Sequence, residues 1–372
     1  MSVRIEVEKV DLRDRKKRIR WSKIESEIFK DDSNLIPSIA SYREKKGIES
    51  TFFVLKRGDE AIGRAIATFD HTWVERQEEN VGFLDDLVID PDFLPNANML
   101  IEACISFLKE KDIDSVLARS CKFPALRTDG FEKTPTYSLP GNPESTLMAL
   151  EDFGFTPVKR WRNIFLDFSR EIPDQNLSEA QEFLKSIDAR FVSLNFKKEM
   201  MAYYKFMNDV FLPLFGYTPM NIYEIGERKW ITSILFRLFR INYWVLKDKK
   251  GDIIGAYDFY PDLNLALKKL FPTKGPKVIK PLKIPSFLFE VRGIKVAVLG
   301  SMGLKTQIRD KGAMRNFSEY RISLIKRAGF SQLITTPMLY ENTAIMKYIS
   351  FITKRYDLIS EQNFATLSYH LG

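Results

Sequence analysis

The sequence predicts an α/β chain made of two copies of one module. Three observations carry that expectation: the length, a hairpin that occurs twice in nearly the same wording, and a matching order of strand and helix signals behind each hairpin. At 372 residues the chain exceeds the usual size of a single hydrophobic core. Apolar residues make up 45% and aromatic residues 13%, with 29 phenylalanines, which fills two cores and argues against disorder.

The first hairpin is STFFVLKRGDEAIGRAIATFD, from Ser50 to Asp70, and reads as two strands around a turn at Gly58-Asp59. The second is NYWVLKDKKGDIIGAYDFYPD, from Asn242 to Asp262. Both contain VLK, a charged turn and an Ile-Gly pair, at Ile62-Gly63 and Ile254-Gly255. An apolar strand follows each, VGFLDDLVID from Val81 and VAVLGSMGLK from Val296. Helical spacing then appears in NMLIEACISFLKEKD and MRNFSEYRISLIKRAG, and each leads into a short strand, DSVLARS and SQLITTP. The segments ESTLMALEDFGFTPVKRWRNIFLDF and ENTAIMKYISFITKRYDLISEQNFATLSY each read as a helix and two strands. The copies join near SREIPDQNLSEAQ, which sets the modules at 1–173 and 174–372.

Several classes are disfavoured. Cys104 and Cys121 have no neighbouring Cys or His that would complete a zinc site or a disulfide framework, and His71 and His370 are the only histidines. The start, MSVRIEVEKVDLRDRKKRIRW, lacks the apolar run of a signal peptide. WITSILFRLFRINYWVL is broken by Arg237 and Arg240 and is too short and too charged to span a bilayer, so the expectation is a cytoplasmic protein with no transmembrane segment. The net charge of +8 suits an acidic partner or a phosphate-bearing cofactor. Lys268, Lys269, Lys274, Lys277, Lys280 and Lys283 fall between Leu267 and Phe287 among four prolines and no acidic residue. That stretch reads as an irregular, solvated connection, with an anion-binding surface as the alternative. No helix carries a concentrated basic face, so nucleic acid is not the expected partner.

The segment order, together with WSKIESEIFKDDSNLIPS, EAIGRAIATFDH, TDGFEKTPTYSLPGNP and GLKTQIRDKG, resembles the GNAT superfamily of CoA-dependent N-acyltransferases. More narrowly, it is similar to a little-studied group of long bacterial and archaeal GNAT-like proteins with two modules in tandem. The resemblance covers nearly the whole chain in order and patchy wording rather than in dense identity. It implies two modules, each a mixed, mostly antiparallel sheet with helices on both faces. It also implies transfer of an acetyl or longer acyl group from acetyl-CoA or another acyl-CoA to a small-molecule or lipid-like amine, in a protein that could form a homodimer.

The GNAT phosphate loop runs Gln or Arg, two residues, Gly, one residue, then Gly or Ala. In QIRDKGAM the positions are filled from Arg309 through Gly312 and Ala313, and Met314 departs from the pattern. A helix beginning near Ala313 leaves its first N–H groups free to face an anion, and Gly312 lets a pyrophosphate approach the main chain. Gln307, Arg309 and Lys311 add donors or charge. Without the resemblance, an ordinary polar loop explains the same residues. The corresponding first-half stretch, DPDFLPNANM, has no glycine, two acidic residues and two prolines. Only the second module is therefore expected to bind CoA, with the first a structural or acceptor-binding partner.

The resemblance also assigns Tyr348, four residues after Ala344, as the acid that protonates the departing CoA thiolate, whereas TLMAL of the first half ends in Leu150. Core packing is the alternative for Tyr348. Asn342 stands within one position of an asparagine that touches the cofactor in many GNAT modules, with Glu341 at the aligned position itself; it also suits a helix cap. The main chain of LGSMGL, with Leu299, Met302 and Leu304, would polarise the thioester carbonyl. Gly300 and Gly303 fit either close approach of the pantetheine arm or a β-bulge. The first candidate for the base that deprotonates the amine is Glu290, an acid inside the strand-like run FLFEVRG, followed by Glu319 and Asp262. Salt bridging explains each of the three as well.

Other readings stand beside this one. Tandem GNAT-like proteins that transfer an amino acid from aminoacyl-tRNA would suit the lysine-rich stretch, and a fatty-acyl donor would suit ITSILFRLF. A module that binds CoA or a partner without chemistry is the non-enzyme reading.

Overall fold

A computed structural model describes residues 4–29, 47–120, 123–137, 139–169, 174–215, 237–270, 283–309 and 313–371. The chain forms two compact units, Met1–Trp161 with Leu267–Val278 and Gln362–Gly372, and Arg162–Ala266 with Ile279–Glu361. The α/β class expected from the sequence is what the chain adopts.

Unit 1 begins with β1 (Ile5–Val10) and α1 (Arg15–Ile28), whose first N–H groups are capped by the Asp14 carboxylate. The repeated hairpin is β2 (Ile48–Arg57) and β3 (Glu60–Asp70), turned at Gly58 with φ of 61°. This left-handed conformation suits a residue without Cβ. Next come α2 (His71–Gln77), β4 (Val81–Ile89), a 3-10 turn (Pro91–Asn96), α3 (Ala97–Lys109), β5 (Ser115–Arg119), β6 (Leu126–Arg127) and α4 (Glu144–Phe153). The order β1-β2-β3-β4-β5 is antiparallel except for the parallel β4–β5 pair. Alternation along β2 sends Phe53 and Leu55 to the core under α3 and α4, and Phe52 and Val54 to a second core with Trp21 and Ile24 of α1. Helices therefore cover both faces.

Unit 2 repeats the plan. It contains α5 (Asp174–Ser186), β8 (Arg190–Ser193), α6 (Phe196–Phe211), β9 (Asn242–Lys247), β10 (Ile253–Pro261), β11 (Val296–Leu304), the helix Ala313–Arg327, β12 (Gln332–Ile334), β13 (Met338–Leu339) and the helix Thr343–Ile352. The order β12-β11-β10-β9-β8 is antiparallel except for the parallel β11–β12 pair. One face packs on the two later helices and α5, through Tyr257, Phe259, Phe317 and Ile349; the other packs on α6 through Val245, Ala256 and Met200.

Three expectations need correction. Each closing helix is followed by one long strand rather than two, β7 (Thr156–Asp167) and β14 (Asp357–His370), because no Gly or Pro breaks the pattern once either strand is under way. The repeats exchange these strands: Leu367 to His370 of β14 pair with β5 inside unit 1, and Phe165 to Asp167 of β7 pair with β12 inside unit 2. The lysine-rich stretch is partly helical, with Lys268 and Lys269 in the last turn of the helix Leu263–Leu270, where a C-terminal dipole favours cations, and Lys283 directly before the helix Ile284–Gly293. Lys274, Lys277 and Lys280 lie outside the described residues, as does most of ITSILFRLF. FLFEVRG is helical, because Ile284, Phe287, Leu288 and Val291 follow the spacing of one helix face.

Among the described residues, no helix is long and apolar enough to cross a membrane, and no cluster of His, Cys, Asp and Glu could hold a metal ion.

Candidate active site

The site grows from a β-bulge in unit 2. Tyr257 of β10 faces Met302 of β11 and Phe259 faces Leu299, which leaves Asp258 opposite two residues, Gly300 and Ser301. A Cβ on Gly300 would overlap the Asp258 carboxylate, so the glycine is what makes room for the acid. The Ser301 N–H donates to Asp258 Oδ1 at 2.9 Å, and the Tyr203 hydroxyl of α6 donates to the same oxygen at 3.4 Å. Asp258 is only 7% exposed, and burial pushes its carboxyl from 3.8 up to about 7 against those two hydrogen bonds. Burial likewise holds the Tyr203 phenol well above its ordinary range, so it remains a hydroxyl.

The β11 strand is also open beside this acid. Its parallel pairing with β12 ends at Val298 and Ile334, so among the described residues the main chain from Leu299 to Leu304 has no strand partner on that side. Thr336 Oγ1 donates to the Gly300 carbonyl at 3.1 Å, and Gly303 lies against Val210 and Phe211 of α6. Gly303 therefore serves close packing on a helix.

On the opposite face of the sheet, Met302 packs over the helix Ala313–Arg327. Arg321 of that helix, 0% exposed, donates from Nη2 to the hydroxyl oxygen of Tyr348 and directs Nη1 at Met302 Sδ. Tyr348 is buried in the core, and its hydroxyl oxygen accepts from this guanidinium.

The other expected residues fall as follows. Gln307 is exposed on a helical turn, Thr306–Arg309, where the sequence suggested an open loop. Arg309 ends that turn, and Ala313 starts the next helix as expected. Lys311 and Gly312 lie outside the described residues. Asn342 caps its helix, accepting from Ile345 N–H at 3.2 Å. Leu299 and Leu304 are buried, with Met302 half-buried between them. Glu290 is half-buried on the helix Ile284–Gly293 and not on a strand. Glu319 is bound by Arg355 and by the Tyr356 hydroxyl, and Asp262 accepts from Asn264 N–H at 3.2 Å.

Sequence reasoning missed Asp258, Tyr203 and Arg321. The available signal for Asp258 was an acid within the apolar run of IIGAYDFY, but its glycine partner is 42 positions away, and only the strand register joins them.

Unit 1 has a bulge on the equivalent strand pair, one residue earlier and with other contents. Arg64 faces Val88 and Ile66 faces Asp85, so Ala65 stands opposite Asp86 and Leu87. Arg64, 0% exposed, pairs with Glu25 at 2.7 Å and Asp86 at 2.9 Å, and Arg119 grips Asp85 through two bonds of 2.6 and 3.1 Å. Ser145 and Thr146 of α4 donate to the carbonyls of Ile89 and Leu87. The main chain that is open in β11 is occupied here.

No family model and no curated protein matches the chain. Solved structures do resemble it. A tandem GNAT protein from the clavulanic acid biosynthesis pathway aligns over 99% of both chains at 10% identity, with a TM-score of 0.54. A GCN5-related N-acetyltransferase from Sphaerobacter thermophilus aligns over 98% of this chain and 95% of its own at 9% identity and 0.51. The GCN5-related glucosamine N-acetyltransferase region of a fungal multi-domain β-N-acetylglucosaminidase covers 99% of this chain and 38% of that one at 12% identity and 0.57. At such identities the likeness concerns the fold alone, which this chain shares with a tandem GNAT protein along nearly its whole length.

Proposed function

We propose that this tandem GNAT fold is an acyl-CoA-dependent N-acyltransferase whose chemistry takes place in unit 2, with Asp258 as the general base. The observation that carries the reading is Asp258 itself: an acid held in a β-bulge, beside unpaired main chain, with a carboxyl poised near neutral pH. The residues fit an acyl-CoA donor in two ways. The unpaired β11 main chain offers N–H and C=O groups to a pantetheine arm, and a helix begins at Ala313, where the phosphate-loop pattern requires one.

Bound acyl-CoA supplies a thioester carbonyl open to attack by an amine. Asp258 takes the ammonium proton, and its Ser301 and Tyr203 partners hold Oδ1 so that Oδ2 is the basic oxygen. Tyr348, on the other face of the sheet, is the donor to the leaving sulfur. Base and acid therefore act from opposite sides of β11, as direct transfer without a covalent enzyme intermediate requires. The acceptor approaches the α6 side, where Tyr203, Tyr204 and Tyr243 surround the acid with aromatic rings.

The test is thiol release from acetyl-CoA and longer acyl-CoA over a panel of primary amines. Asp258→Asn should lower turnover by about 10²–10⁴-fold with CoA affinity unchanged. Because the base must be ionised, the wild-type rate should rise with pH through an inflection near about 7. An active Asp258→Asn variant, or a rate flat across that interval, would remove Asp258 from the mechanism.

A further inference from the structure

Arg321 is a buried cation with no carboxylate partner among the described residues. Its contacts are the Tyr348 hydroxyl, Met302 Sδ and the Tyr348 ring, 5.6 Å from the guanidinium carbon to the ring centre; Nε has no hydrogen-bond partner. Among the described residues no carboxylate pairs with it. The nearest acid in sequence, Glu319, is occupied by Arg355 and Tyr356. The other titratable groups around the pair are Tyr257 on β10 and Tyr320 on the same helix; the Tyr257 hydroxyl is buried without a partner and its ring feels the Arg321 charge. A fully buried charge is costly unless paired, and Arg64 in unit 1 shows the ordinary solution with two carboxylates.

The hydrogen-bond direction adds a second constraint. Arg321 donates to the Tyr348 oxygen, so the phenol's own proton must point elsewhere, and among the described residues nothing accepts it. Tyr348 thus offers an O–H backed by an uncompensated positive charge. Such an arrangement is complementary to a ligand group that becomes negative during the reaction.

We infer that Arg321, acting through Tyr348, makes this face of unit 2 a thiolate site, so that CoA leaves and binds there as the sulfur anion; this rests on the acyl-CoA reading of unit 2. In the transfer, the amine nitrogen forms its bond to the carbonyl carbon, the C–S bond breaks, and its electron pair passes to sulfur. The Tyr348 O–H donates a hydrogen bond to that sulfur and keeps its proton, with Arg321 behind the phenol oxygen stabilising the charge, so CoA departs as the thiolate. The amine nitrogen gives up two protons, the first to Asp258 before attack and the second to solvent as the tetrahedral adduct collapses, so the step balances with water as the only other participant. Arg321 is a positioning residue, since it touches Tyr348 and not the substrate.

The test uses binding rather than turnover. Free CoA and a CoA analogue lacking the sulfur are titrated against the full chain by calorimetry, and ionisation of the bound thiol is followed by ultraviolet absorbance of the thiolate. In wild type the bound thiol should titrate at least about 1 pH unit below free CoA, as expected for an anion within a few ångströms of a buried cation. Arg321→Met and Tyr348→Phe should each remove the shift while both compounds still bind, and Arg321→Lys should keep part of it. A merely structural Arg321 would weaken both compounds equally and leave the shift alone, which overturns the inference and spares the acyl-CoA reading. Failure of wild type to bind either compound overturns both.

Discussion

The two units each place a bulge on the same hairpin, one residue apart, and they treat charge there in opposite ways. Counted from the shared Ile-Gly pair, Ile66 of unit 1 stands where unit 2 has Asp258, and counted from the strand starts Val81 and Val296, Asp85 and Asp86 stand where unit 2 has Gly300 and Ser301. Unit 1 places its acids on the strand after the hairpin and pairs each with an arginine, half-buried Arg119 for Asp85 and buried Arg64 for Asp86. Asp86 even adopts φ of 51°, a left-handed conformation unusual for a residue with Cβ, to reach its partner. Unit 2 moves the acid across to the hairpin strand, leaves it without a cation, and buries a cation without an acid on the other face. One bulge is thereby closed as structure, while the other retains an acid and a cation free to respond to a ligand.

The same substitution made in both units sharpens this contrast most. Arg64→Met removes the buried cation that Glu25 and Asp86 share, and should destabilise the protein by about 3–5 kcal/mol. Arg321→Met orphans no carboxylate and exchanges a buried charge for an apolar side chain of similar length, so its cost should be within about 1 kcal/mol or of opposite sign. Urea unfolding of the two variants checks both. Equal losses would mean that Arg321 has an anionic partner after all.

A smaller effect follows from Asp258, whose folded carboxyl is raised to about 7 from 3.8. Between those values the native state keeps a proton that the unfolded chain has lost. Stability from this group is complete below about 4, falls as pH rises toward 7 and is constant above. The total change is on the order of a few kcal/mol. Asp258→Asn should flatten that part of the stability profile, so the variant gains relative to wild type at neutral pH. Parallel profiles for the two proteins would show that Asp258 is ionised in the native state well below neutrality.

The hairpins, the strand after each and the following helix were legible because they rest on local alternation and on turn residues such as Gly58. The start of the helix at Ala313 was legible for the same reason. Glu290 was misplaced because a short apolar run fits a strand and a buried helix equally well, and length alone arbitrates. Asp258 and Arg321 were not legible as site residues. The first gains its meaning from a glycine on a neighbouring strand, and the second from the absence of any acid nearby, a property of packing that no window of sequence contains. The strand exchange was hidden likewise, since β7 and β14 look alike and nothing local says which sheet each one completes.

The smallest expected effect concerns what closes unit 1. Thr146 donates to the Leu87 carbonyl at 2.7 Å, and in unit 2 the equivalent strand residue is Met302, in the stretch with no strand partner on its open side. Thr146→Val keeps the shape and removes the hydroxyl, leaving a buried carbonyl unsatisfied, at a cost of about 1 kcal/mol or slightly more. It should not create CoA binding in unit 1, because the Pro91–Asn96 turn and Asp90, whose carboxylate accepts from Asp92 N–H, still occupy the place of the phosphate loop. Calorimetry with CoA on a chain carrying both Gly312→Glu and Thr146→Val separates the two causes. Silence means that loop chemistry alone denies unit 1 an anion; a new binding isotherm means that the hydroxyl plug, and not the acidic loop, is what keeps the first bulge shut.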